Sequence, residues 1–389
     1  MKFLLLFTVS ILTFSFFQID QVLASSHDRS PVIQSESAIL IDAKTGEILF
    51  EKNSEKQMYP ASLTKVATAI YAIEKGNLED IVTVSKNAVE AEGTRVYLEE
   101  GEQVPLKKLV QGLLINSGND AGVAIAEHLD GSVSVFSENI NEYLKETIGV
   151  TNTNFENPHG LFNQNHLTTA QDFAKITQYA IQNKTFKEIF GTKELKWKGQ
   201  TWDTTLFNHH KLMREMPYEG VDGGKTGYVD QSGHTLVTTA KRGKLNLIAV
   251  IFKGSSQTVA YSDTVNLLNY GFENYQTSTI AKGKKYEIDD KEFVAPKNLY
   301  YSHPIGSELK EVIKKNGTLE IINQDQELIS EFNLELTKKT VKSVEYNAEE
   351  ASTKSNPFDL ENHISIIIFL SMGLSAGIVG FFYNQVRGI

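Results

Sequence analysis

Ser62 and Lys65 stand three residues apart in "MYPASLTKVATAIYAI", a spacing that puts both side chains on one face of a helix. From Ser62 to Glu74 the apolar residues Val66, Ala67, Ala69, Ile70, Ala72 and Ile73 cover most of the circumference, so the stretch reads as a buried helix rather than a surface one. Burial disfavours the charge on Lys65 and lowers its pKa. A neutral amine beside a hydroxyl is a general base beside a nucleophile. The amides of the first helical turn offer donors and partial positive charge to a developing anion. These are the requirements of acyl transfer at serine. S-x-x-K alone is not specific: Ser307 and Lys310 repeat it in a polar region with no apolar helix after it.

Two further elements could complete such a site. In "LLINSGNDAGVAIAEH", Ser117 and Asn119 sit in a glycine-containing turn between two apolar helices, and that turn can aim a hydroxyl and an amide into a cleft. By itself it would pass for an ordinary helix N-cap. The tripeptide KTG occurs twice, as Lys44-Thr45-Gly46 and Lys225-Thr226-Gly227. The second copy follows "VDGG" and precedes strand-like sequence. A strand carrying Lys225 and Thr226 can pair with an extended peptide and hold its carboxylate, with Gly223 and Gly224 permitting close backbone approach. The first copy reads as a hairpin tip, with Gly46 serving the turn and Lys44 meeting water.

The elements that must position these residues read as an α+β domain, with helices packed on a mostly antiparallel sheet. Ser37 to Asp42 and Glu47 to Glu51 are short strand-like runs around the first KTG. Helical patterns cover Leu106 to Ile115, Ala121 to Leu129, Thr169 to Gln182 and Asp263 to Tyr275. "HTLVTTA" and "LNLIAVIF" read as a hairpin turned by "KRGK". We assign residues 25–276 to this domain, 277–344 to a small β-rich domain and 345–363 to a polar linker.

The ends imply export and anchoring. Residues 1–24 have the form of a signal peptide: Lys2, an apolar run from Leu4 to Phe17, and Val22-Leu23-Ala24 before the expected cleavage. Residues 364–383, "ISIIIFLSMGLSAGIVGFFY", hold no charge and are long enough to cross a bilayer. Residues 384–389, with Arg387, are then a cytoplasmic tail. The expected location is a bacterial cell membrane, with the catalytic domain on the outer, cell-wall face. The chain of 389 residues has a net charge of −10 and no cysteine. No basic stripe suggests nucleic acid, and disulfides, thiol nucleophiles and thiolate metal sites are excluded.

"SLTK", "SGN" and "KTG" in this order form a joint signal. The chain resembles the penicillin-binding-protein-type D,D-peptidases, and more closely the low-molecular-mass D-alanyl-D-alanine carboxypeptidases. The resemblance extends to "SAILIDAKTGEILFEKN", to "NPHGLFNQNHLTTAQD", to the β-rich domain and to the anchor. It implies a penicillin-binding/β-lactamase-like fold and no cofactor. The implied substrate is a peptidoglycan stem peptide ending in D-Ala-D-Ala, with β-lactams as covalent inhibitors. By resemblance, Ser62 would be the nucleophile, Lys65 its base and Ser117 a proton relay. Asn119 would bind the peptide backbone, and Lys225, Thr226 and Gly227 the terminal carboxylate region. The amides of Ser62 and Tyr228 would form the oxyanion hole. Relatives carry histidine where this chain has Tyr228. Some use an arginine beyond the KTG hairpin, where "FKGSSQTVAYSD" offers only Lys253.

Four alternatives differ in chemistry. A D,D-endopeptidase would cut cross-links with the same parts. A β-lactamase would need a further group to activate water. A non-catalytic β-lactam sensor or wall-binding module would need a signalling region or would lose a motif. A zinc D,D-peptidase could use His159, His166 and Asp172, but would leave S-x-x-K and KTG idle; with no metal expected, those residues instead brace a loop and cap the helix that begins near Thr169.

Overall fold

The apolar run "LNLIAVIF" lies at the centre of the main sheet in the computed structural model, which describes residues 30–200 and 202–339. It forms most of β9 (Leu245–Gly254), the middle strand of a five-stranded antiparallel sheet. The sheet order is β2 (Ile48–Lys52), β1 (Ser37–Asp42), β9, β8 (Gly233–Arg242), β7 (Val221–Val229). Side chains alternate between the two faces of a strand. Ile248, Val250 and Phe252 therefore join one core with Ile39 and Ile41, while Leu247, Ala249 and Ile251 join another with Ala38 and Leu40. A strand buried on both faces shows a continuous apolar run rather than an alternating one.

Each face is covered by helices. The second face carries α8 (Gln257–Asn274), seated so closely that a Cβ on Gly271 would come 2.7 Å from Leu247 and 2.9 Å from Leu40. The first face meets α6 (Ala170–Ala180), and α1 (Thr64–Lys75) packs on α6 within the same core. Behind them lies an apolar helical layer of α3 (Leu106–Ile115), α4 (Asn119–Asp130), α5 (Val133–Tyr143) and α7 (Lys184–Phe190). Thr169 caps α6 by accepting the Asp172 amide at 3.0 Å. Two hairpin ribbons, β3 with β4 (Ile81–Thr83, Gln103–Pro105) and β5 with β6 (Glu194–Lys198, Asp203–Phe207), flank the helices.

From β10 (Tyr275–Ile280) to β17 (Glu335–Lys339) the chain is all strand and turn, around a separate small core that includes Phe293, Leu319 and Ile321. Ser307 and Lys310 lie here, and Lys310 opens strand β14 (Lys310–Ile313) instead of following a serine along a helix. The expected signal peptide at 1–24 and the stretches 345–363, 364–383 and 384–389 lie outside the described residues. Among the described residues no helix is long and apolar enough to cross a membrane.

The first KTG is a hairpin tip with Lys44 exposed, as expected, but it also makes contacts the sequence did not announce: Lys44 Nζ donates to the Lys244 carbonyl at 3.0 Å and lies 5.1 Å over the Tyr300 ring. Thr45 Oγ1 is 2.7 Å from Ser302 Oγ. The hairpin tip is held because the β-rich region packs on it, a tertiary contact that no local pattern encodes.

Candidate active site

Ser62 lies in a single 3-10 turn, Ala61–Leu63, that leads into α1. Lys65 is on the first turn of α1 and is fully buried. Its Nζ is 2.8 Å from Ser62 Oγ and donates to the His159 carbonyl at 2.7 Å. Burial, and then the charge of nearby Lys225, hold the Lys65 pKa well below the usual lysine range. The amine is thereby suited to take a proton from the hydroxyl it touches.

Around the serine the backbone is packed to contact. Ala61 has φ +48°, a left-handed conformation that costs a non-glycine residue energy unless its surroundings impose it. Here the surroundings do so. A Cβ on Gly160 would fall 1.8 Å from the Ala61 carbonyl oxygen. A Cβ on Gly227 would fall 2.8 Å from the Ser62 nitrogen. Thr235 of β8 donates to the Pro60 carbonyl at 3.0 Å. The glycine of the second KTG is thus what lets the edge strand β7 pass over the Ser62 amide.

Ser117 also has a positive φ, +63°, and faces β7. Lys225 Nζ donates to Ser117 Oγ at 2.9 Å and to the Thr226 carbonyl at 2.8 Å. Lys225 is buried, and desolvation pushes its pKa down to about 7. Asn119 Nδ2 donates to the Glu92 carbonyl at 2.5 Å, while its buried Oδ1 has no hydrogen-bond partner among the described residues. A buried acceptor left unpaired is open to a donor from outside the protein, water or ligand. Thr226 and Gly227 are half-buried. Tyr228 is 55% exposed and its hydroxyl donates to Asp230, so its side chain faces solvent.

The structure therefore brings Ser62 to Lys65 and Ser117 to Lys225, with Gly227 of the KTG strand crossing beside Ser62. Lys253 is ion-paired with Glu36 at 2.8 Å. His159, His166 and Asp172 are each taken up by the fold. His159 Nδ1 accepts the Leu161 amide. Asp172 accepts the Asn152 amide and the Thr153 hydroxyl. His166 Nδ1 accepts the Glu156 amide, which leaves Nε2–H to donate to Thr64 Oγ1 at 2.8 Å, and Thr64 in turn donates to the Ala61 carbonyl. Burial and the Lys65 charge lower the His166 pKa to about 3, so the ring stays neutral in this role. Among the described residues no group of three such side chains is placed to hold a metal ion.

Several contributors escaped the reading from sequence. Asp120 is fully buried and accepts the amides of Val96 and Leu98 at 3.0 and 3.2 Å; burial raises its pKa against those amides. It thereby ties loop 92–98 to the Ser117 turn. An acid at the start of a helix in "NSGND" was the available signal. The "NPHG" stretch acts through its main chain: the Pro158 and His159 carbonyls accept from Thr68 and Lys65. Backbone acceptors leave no residue-type signature.

Comparison with known proteins follows this geometry. Residues 24–256 match the model of the peptidase S11 family, described as D-alanyl-D-alanine carboxypeptidase. The chain is 34% identical to the D-alanyl-D-alanine carboxypeptidase DacF of Bacillus subtilis over 64% of its own length and 65% of that protein's. It is 30% identical to DacA of Escherichia coli over 80% of its length and 82% of that protein's. Crystal structures of penicillin binding protein 5 from Haemophilus influenzae superpose with a TM-score of 0.72 at 27% identity, covering 80% of this chain and 99% of that one.

Proposed function

Because the chain belongs to the D-alanyl-D-alanine carboxypeptidase family of serine peptidases, we propose that it removes the terminal D-alanine from peptidoglycan stem peptides through an acyl-enzyme on Ser62. The observation that carries this is the 2.8 Å contact between Ser62 Oγ and a fully buried, charge-disfavoured Lys65 Nζ.

The peptide lies along the edge strand β7, with its terminal carboxylate at Lys225 and Thr226. Lys65 takes the Ser62 proton as Oγ attacks the carbonyl carbon between the two D-alanines. The backbone N–H groups of Ser62 and Tyr228 receive the developing oxyanion. As the C–N bond breaks, Ser117 passes a proton to the leaving nitrogen. Lys225 holds the Ser117 hydroxyl, and its positive charge disfavours protonated Lys65 and so favours return of the proton. Asn119 meets the peptide backbone with its unpaired Oδ1. Water activated by Lys65 then cleaves the ester and restores Ser62. A β-lactam presents a reactive amide beside a carboxylate, and it acylates the same serine.

The hydropathy of residues 1–24 and 364–383 supports a chain exported and anchored in the bacterial membrane, with this site on the wall side. The test is D-alanine release from a pentapeptide ending in D-Ala-D-Ala, with wild type beside Ser62→Ala. The mutant should lose at least about 10³-fold, and the wild type should keep its rate after dialysis against EDTA. Unchanged release in the mutant would defeat the assignment, and loss on chelation would revive a metal mechanism.

A further inference from the structure

A chain of three hydrogen bonds runs through the interior and ends on the residue before the nucleophile. The Glu156 amide donates to His166 Nδ1 at 3.0 Å. A ring nitrogen that accepts carries no proton, so the imidazole proton sits on Nε2. That proton goes to Thr64 Oγ1 at 2.8 Å. A hydroxyl has a single proton, and Thr64 gives its own to the Ala61 carbonyl at 2.9 Å. The first bond therefore sets the direction of the other two. In the opposite tautomer Thr64 would donate to the ring, and the Ala61 carbonyl would lose this donor.

The chain is enclosed along its length. His166, Thr64 and Ala61 are all buried. Phe155 stacks on the imidazole, with centroids 4.8 Å apart and planes 18° apart, which holds the ring plane. A Cβ on Gly160 would come 2.9 Å from Thr64 Oγ1, so the hydroxyl is closed in on that side too. One end of the chain is a strained residue: Ala61 has φ +48°, and such a conformation persists only where contacts impose it. The other end is the loop that serves the base. Glu156 lies just before the Pro158 and His159 carbonyls, which accept from Thr68 and Lys65. One imidazole thus ties together the two segments that meet at the Ser62–Lys65 contact. Stability alone does not call for this arrangement, because an apolar replacement of the same shape can be nearly neutral.

We propose that His166 is a positioning residue for the reaction, holding the Ala61–Ser62 turn and the His159 loop in register so that Ser62 Oγ stays against Lys65 Nζ. This rests on the acyl-enzyme reading. Both ring nitrogens are engaged within the chain, so the imidazole contributes geometry and not proton transfer. Misplacing a reacting pair slows the chemical step while leaving ground-state binding intact.

Stopped-flow acylation by benzylpenicillin tests this, because saturation separates the binding constant from the first-order acylation constant. A first-order constant does not change with the folded fraction of a sample. His166→Phe keeps a ring and removes both bonds. Thr64→Val keeps the branched shape and removes the hydroxyl. His166→Gln offers an amide oxygen to the Glu156 N–H and an amide N–H to Thr64. His166→Phe and Thr64→Val should each acylate about 30-fold more slowly, with binding unchanged. His166→Gln should stay within about threefold of wild type, and the double variant His166→Phe/Thr64→Val should be no slower than about twofold below the slower single one, since both act through one chain. A wild-type rate in either single variant, a glutamine variant as slow as the phenylalanine one, losses that multiply in the double variant, or a loss confined to binding would each overturn the role and leave the peptidase standing. A wild type that benzylpenicillin does not acylate would overturn both this role and the acyl-enzyme reading.

Discussion

Two buried lysines within electrostatic reach of each other are costly, and at the scale of the residue that cost is what the reaction uses. Desolvation and the Lys225 charge both disfavour protonated Lys65. If Lys65 is the base, acylation falls at low pH as its amine protonates, and the acid limb of the profile is expected to report that titration. Neutralising Lys225 in Lys225→Gln removes a repelling charge, so the Lys65 pKa rises and the limb moves to higher pH, by about one unit. The pH dependence of acylation by benzylpenicillin measures this, and a limb that stays or moves down would contradict it. Ser62 and Lys65 were legible together because they are three residues apart, although Ser62 stands in the 3-10 turn that precedes α1 and not in the helix read from the sequence. The Lys225–Ser117 bond spans 108 residues, and only the order of the motifs hinted at it. The His159 carbonyl, which takes a Lys65 hydrogen bond, could not be read from residue type at all.

At the scale of the element, the site depends on backbone contacts that side-chain patterns do not report. Gly160→Ala would drive a Cβ into the Ala61 carbonyl, in a conformation of φ +86° that alanine disfavours. We expect a stability loss of about 2–4 kcal/mol. Because the nucleophile turn must shift, acylation of the remaining folded protein should slow by about 10²-fold. Denaturant melts and stopped-flow acylation measure the two effects; a fully active, equally stable variant would contradict the packing described. The helix of Lys65, the two-sided core strand β9 and the β8–β9 hairpin were legible, because apolar periodicity records which faces are buried. The closing helix α8 begins at Gln257, ahead of the Asp263 start read from the sequence. Its first turns mix polar Gln257, Thr258 and Ser262 with the buried Ala260 and Tyr261, and the Ser256 cap on the Val259 amide marks the true start.

At the scale of the whole molecule, the two KTG copies separate by what packs on them. Lys225-Thr226-Gly227 faces Ser62 and Ser117. Lys44-Thr45-Gly46 joins the sheet to the β-rich region, beside the buried Asp42. That carboxylate accepts from Thr277 at 2.6 Å, Ser302 at 2.8 Å and the Lys44 amide at 2.9 Å. Asp42→Ala should therefore cost about 2–3 kcal/mol in a thermal melt, and an unchanged Tm would show that the network is idle. Lys225→Ala should lower D-alanine release by about 10²-fold or more, while Lys44→Ala should retain it. The α+β architecture was legible from element order, whereas the docking of the first KTG was not, because it joins residues more than 200 positions apart. The central claim is that one serine of this chain carries the acyl group. Peptide mapping by mass spectrometry after treatment with benzylpenicillin tests it most directly. The peptide containing Ser62 should gain one penicilloyl group, and Ser62→Ala should gain none. A penicilloyl group on Ser117 or Ser307, or one retained in Ser62→Ala, would contradict the account.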